Sequence, residues 1–178
     1  EDLVLQTLQP VDRMQVESAP LVFVGYGVNA PERGWDDYKG VDLRGKIAVV
    51  LVNDPDFETP APGAFDGRAM TYYGRWTYKY EELARQGVTG VLIVHETAPA
   101  AYGWATVKSS GLSPLFDVPR DDATSYHTPL RGWIQRDLAV SLFEQAGLDF
   151  ETEKQRAQTP GFTPVVLGDA TLSAAFNV

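Results

Sequence analysis

Lys46-Ile47-Ala48-Val49-Val50-Leu51-Val52 is a short run of β-branched and aliphatic residues, preceded by Gly45 and followed by Asn53-Asp54-Pro55. Length, composition and boundaries predict a strand, the strongest in the chain. Downstream, residues 77–86 carry a helical pattern. Thr77 is placed to cap the first turn, Glu81 and Glu82 fall near the positive end of the helix dipole, and Gly87 supplies a stop. Tyr80, Leu83 and Ala84 share one face of that helix. Gly90-Val91-Leu92-Ile93-Val94 follows at once as a second buried strand. Strand, helix and strand in this order predict a right-handed crossover between parallel strands.

Working outward, residues 3–8 alternate and predict a first strand, and Leu21-Val22-Phe23-Val24 predicts another, ending at Gly25-Tyr26-Gly27. A second helix is expected over residues 136–146 with Gly147 as its stop, and a short third from Asp149. Val165-Val166-Leu167 and residues 172–176 read as closing strands. Residues 53–68 hold three prolines, two glycines and four acids, which marks a surface excursion. Residues 104–130 are rich in Ser, Pro, Gly and Asp and show weak periodicity. The expectation is one α/β (α+β) domain over residues 1–178, strand-rich, with two or three helices and large loops.

Composition narrows the function. Fifteen Lys and Arg against 24 Asp and Glu give a net charge of −9, a sign that repels phosphate backbones and anionic lipid. Neither nucleic acid nor membrane is therefore an expected partner. No apolar run approaches the roughly 20 residues of a membrane-spanning helix. With no cysteine in the chain, thiolate metal sites and thiol nucleophiles are excluded together. Both ends read as cut from a longer polypeptide.

Motifs that carry chemistry fare poorly. Gly25-Tyr26-Gly27-Val28-Asn29-Ala30 fits the dinucleotide pattern formally, but Pro31 to Gly34 prevent the helix that the pyrophosphate needs, so a tight turn is expected. His95-Glu96 opens like a zinc-binding helix, yet Pro99 stands where the second histidine belongs. His95 is expected to hold its strand end through hydrogen bonds. Asp36-Asp37, Asp54-Asp56 and Asp121-Asp122 read as solvated turn residues that cap backbone, and Lys154 to Arg156 as a solvated helix face. No nucleophile elbow occurs. What remains is an aromatic and basic cluster, Tyr72, Tyr73, Arg75, Trp76, Tyr78, Lys79 and Tyr80, with the composition of a recognition surface. Tyr80 is expected to pack inward.

Several stretches resemble the protease-associated domain of secreted di-zinc aminopeptidases, the group of leucine aminopeptidases and glutamate carboxypeptidase-like enzymes. They are Phe23-Val24-Gly25-Tyr26-Gly27, Trp35-Asp36-Asp37-Tyr38, Val41-Asp42-Leu43-Arg44-Gly45-Lys46, residues 70–82, residues 87–97, residues 99–104, Gly132-Trp133-Ile134 and Ala146-Gly147. Residues 72–82 are the most specific; residues 114–129 do not match. The resemblance implies an open β-barrel or sandwich flanked by helices, inserted in a peptidase and lying over its catalytic domain. It also implies a secreted or periplasmic protein, with two zinc ions held by the absent catalytic domain and no cofactor or catalytic residue in this chain. Its partners would be that catalytic domain and a peptide or protein substrate. The neighbourhoods that match pocket-forming parts of related enzymes contain Asn29, Trp35, Tyr73, Arg75, Trp76 and Tyr78, with Arg75 and Trp76 expected at the active-site entrance. Two other readings stay open: a stand-alone extracellular interaction domain, and a hydrolase with an unrecognised site.

Overall fold

The computed structural model describes residues 2–59, 63–122 and 126–178. Pro60 and Pro62 of the expected excursion, and residues 123–125 of the unmatched stretch, lie outside the described residues. The elements in chain order are β1 (Leu3–Gln6), β2 (Arg13–Phe23), β3 (Asn29–Ala30), a 3-10 turn (Pro31–Arg33), β4 (Trp35–Asp36), β5 (Ile47–Leu51), α1 (Trp76–Arg85) and β6 (Gly90–His95). There follow α2 (Thr97–Ala100), α3 (Trp104–Gly111), β7 (Leu130–Gln135), α4 (Arg136–Gln145), α5 (Phe150–Ala157) and β8 (Val165–Asn177). This is the strand-rich α/β class expected from the sequence, with five α-helices among the described residues where two or three were expected, the short α2 and the Ser-rich α3 being the additions. None of the described helices is long and apolar enough to cross a membrane.

Six strands form one open sheet in the order β1-β7-β6-β5-β2-β8, and β3 pairs with β4 separately. The centre is parallel: Leu21 pairs Ile47, Val49 pairs Leu92, and Leu92 pairs Gly132. The edge strands β1 and β8 are antiparallel to β7 and β2. Because β5 is central, its alternate side chains feed two separate cores. Ile47, Val49 and Leu51 meet Phe143 and Ala139 of α4 and Phe150 of α5. Ala48 and Val50 meet Leu83 of α1 and Val107 of α3 on the opposite face. A strand covered on both sides carries no polar alternation, which is why residues 46–52 read so plainly.

Helix ends follow local chemistry. Gly87 and Gly147 adopt φ of 73° and 72°, closing α1 and α4 as expected. Asp149 caps α5 by accepting from the Thr152 amide at 2.7 Å. The start of α1 differs from expectation: the helix begins at Trp76 with Arg75 at the cap position, and no side chain closes it. Thr77 lies inside the first turn. A single helical turn, α2, also forms across Pro99, where the missing N–H falls among groups that lack intrahelical partners anyway. The two expected closing strands are one long strand, β8, paired along the length of β2 with two register shifts, one between Val16 and Ala19, where Ser18 has a positive φ, and one between Pro20 and Val22.

Candidate functional site

The segment that delivers the aromatic cluster is fixed from below by buried polar groups. Asp54 is fully buried, and its carboxylate accepts from the Thr71 amide at 2.6 Å and the Thr71 hydroxyl at 2.7 Å. The Asn53 amide donates to the Gly74 carbonyl at 3.0 Å. Gly74 has no room for a side chain, since a Cβ there would stand 2.8 Å from Met70 Cγ and 3.0 Å from Asp54 Oδ1. Lys79, also fully buried, donates through Nζ to the carbonyls of Tyr26 at 2.6 Å and Asn53 at 3.0 Å, tying α1 to both loops. Burial pushes the Lys79 amine down to about 7, against the opposing pull of Asp54 and Asp37.

These contacts correct the reading of the acid pairs. Asp37, Asp54 and Asp56 do cap backbone, but they are buried, not solvated. Asp37 accepts from the Val28 amide at 2.9 Å and the Trp35 indole at 2.8 Å, and Asp56 accepts from the amides of Gly63 and Phe65. Burial pushes the Asp37 carboxyl up to about 7 despite those bonds. Lys154 is likewise buried: Nζ donates to Glu96 at 2.8 Å and to Glu58 at 2.9 Å, anchoring α5 to the end of β6.

Of the six expected site residues, two are interior. Trp35 is buried against Phe65, and Tyr78 is buried with its hydroxyl accepting from the Asn29 amide at 3.1 Å. Asn29 itself is exposed. Tyr73 is half-buried, donates to Glu32 at 2.6 Å, and meets Tyr72 and Tyr78 edge-to-face. Arg75 is exposed, and Trp76 is 40% exposed at the very start of α1, with Tyr72 beside it at 54%. The buried pair therefore builds a floor, while Asn29, Tyr73, Arg75 and Trp76 present the accessible edge.

Trp76 also borders two clefts that sequence reasoning did not find. One, of about 360 Å³, lies between α1, α3 and β7 and is walled by Tyr80, Tyr102, Val107, Leu115 and Trp133. The other, of about 400 Å³, extends toward Phe116, Asp117 and His127, whose Nε2 lies 2.7 Å from Asp117 Oδ2. Arg131 borders both. Nothing in the local sequence marks this arginine, because Arg131 and Gly132 themselves interrupt the apolar pattern of β7. Tyr80 packs inward as expected and donates to the Gly132 carbonyl at 2.9 Å. His95 is buried at its strand end, with Nε2 2.9 Å from the Tyr102 carbonyl oxygen. Gly25 and Gly27 adopt φ of 60° and 61° in a turn after β2, with only the short 3-10 segment beyond. Among the described residues, no group of three or more His, Asp or Glu side chains is placed to hold a metal ion.

No family model matches the chain, and no curated protein matches it. Among solved structures it matches an aminopeptidase from Aneurinibacillus sp. strain AM-1, at 16% identity and a TM-score of 0.37. The match takes in 98% of this chain but only 33% of that protein's length.

Proposed function

We propose that the chain is a non-catalytic protease-associated domain of a zinc-dependent aminopeptidase, acting as a lid or recognition module that shapes access to the active site. The reading is supported by the residue-level resemblance, strongest over residues 72–82, and one geometric observation carries it. The same segment is clamped from beneath by Asp54 and Lys79 yet leaves Arg75 and Trp76 exposed at the helix start. Rigid support under an exposed Trp-Arg pair is the arrangement of a recognition edge, since little side-chain order is lost on contact. On this reading hydrolysis belongs to a catalytic domain carrying two zinc ions, and the parent is secreted or periplasmic. The indole would contact peptide side chains while the guanidinium pairs a carboxylate or a carbonyl.

The test is kinetic. Arg75→Ala/Trp76→Ala in the polypeptide that carries the peptidase domain should raise KM or alter preference across a peptide panel. Unchanged KM and unchanged preference would remove the assignment.

A further inference from the structure

The cleft between α1, α3 and β7 is bordered by a cation, Arg131, that forms no ion pair among the described residues. Arg131 and Trp133 are two apart on β7 and so share a sheet face, the one that looks toward α1. The Arg131 guanidinium lies over the Tyr80 ring at 5.1 Å, and its Nε is buried with no hydrogen-bond partner. Among the described residues Arg131 makes no ion pair. Asp117 acts on it only at longer range, and that carboxylate is engaged by His127. Burial lowers the Arg131 pKa, the mark of a desolvated charge. Arg131 as a whole is half-buried, and a buried guanidinium nitrogen left without a partner is costly unless something completes it.

The surroundings say what would complete it. The walls are largely apolar, with Trp76, Tyr80, Tyr102, Leu115 and Val107 facing the space, and its volume of about 360 Å³ is that of a small-ligand site. Thr106 and Ser110 add hydroxyls from α3. A matching ligand joins a planar anion directly to an apolar group. The C-terminal residue of a peptide does so, because its carboxylate sits one carbon from its own side chain. An internal Asp or Glu would instead have to bring its flanking polar backbone into the cleft.

We infer that this cleft binds the free C-terminus of a peptide ending in an aliphatic or aromatic residue, its carboxylate paired with Arg131 and its side chain against Trp76 and Tyr80. The inference rests on the cleft alone and does not require an attached peptidase. It is therefore tested on this chain, apart from the kinetic test above.

Titration of the isotopically labelled chain with acetyl-Ala-Leu-Phe should shift the indole signals of Trp76 and Trp133. The same peptide as its C-terminal amide should bind at least about tenfold more weakly. Arg131→Met should bring the free acid down to the affinity of the amide. It should also raise Tm, because a partly desolvated charge with no ion-pair partner has been removed; a merely structural arginine would lower it. Arg131→Lys, which keeps the charge but not the forked geometry, should fall between. Equal affinity for acid and amide in the unsubstituted chain overturns the assignment. So does the absence of binding by either, or equally tight binding of an amidated peptide with an internal Glu.

Discussion

Lys79 carries an amine into the interior, where two backbone carbonyls receive it. Unfolded, that amine titrates near its ordinary 10.5; folded, near 7. Between these values the unfolded chain holds more protons, so Lys79 makes stability rise as pH is raised above about 7. Asp37 works the other way, since its folded value of about 7 lies above its ordinary 3.8. The folded chain holds the extra proton between those limits, and stability falls as pH rises toward 7. Urea unfolding at roughly pH 5, 7 and 9 should therefore show a shallow minimum near neutrality, and Lys79→Met should lose the alkaline rise. Asp37→Asn leaves one of two buried donors, the Val28 amide or the Trp35 indole, facing an NH₂ group. It should cost about 1–3 kcal/mol in the same assay. The capping habit of these aspartates could be read from their turn-like context. Their burial could not, because Phe65 and Tyr73, which help enclose this region, arrive later in the chain and only in three dimensions.

Among the elements, α1, α4, β5 and β6 were readable because each carries its signal locally: glycine stops, a helical face, unbroken apolar runs. β7 does not. In Leu130-Arg131-Gly132-Trp133-Ile134-Gln135 the apolar pattern is broken by Arg131 and Gly132, and the strand is held by pairing with β6 on one side and β1 on the other. The site suffered with it, since Arg131 enters the cleft from this strand. α3 was missed for a related reason: Ser109-Ser110-Gly111 are poor helix formers, and no side chain caps its start. The closeness of β1 to β7 yields a sharp prediction. A Cβ on Gly132 would run into the Val4 carbonyl oxygen. Gly132→Ala should cost about 1–3 kcal/mol and speed amide exchange in Leu3–Gln6 more than in β5. For α5, Lys154→Met removes the bridge to Glu96 and Glu58. With Glu58 partly in solvent the loss is discounted to about 2 kcal/mol, visible as a lowered Tm.

At the scale of the molecule, a two-core α/β sheet supports an aromatic edge from beneath, and the charges buried inside it are spent on holding loops. Asp37, Asp54, Lys79 and Lys154 each have protein partners that account for them, which leaves these groups structural. The accessible groups include an indole, a guanidinium, an apolar cleft with a second guanidinium in its wall, and the His127–Asp117 pair of the neighbouring cleft. The proposed recognition role predicts that this chain by itself cuts no peptide. Rigorously purified protein, incubated with zinc and a panel of peptides, should leave every peptide intact over prolonged incubation. Cleavage that follows the protein through successive chromatographic steps would contradict it.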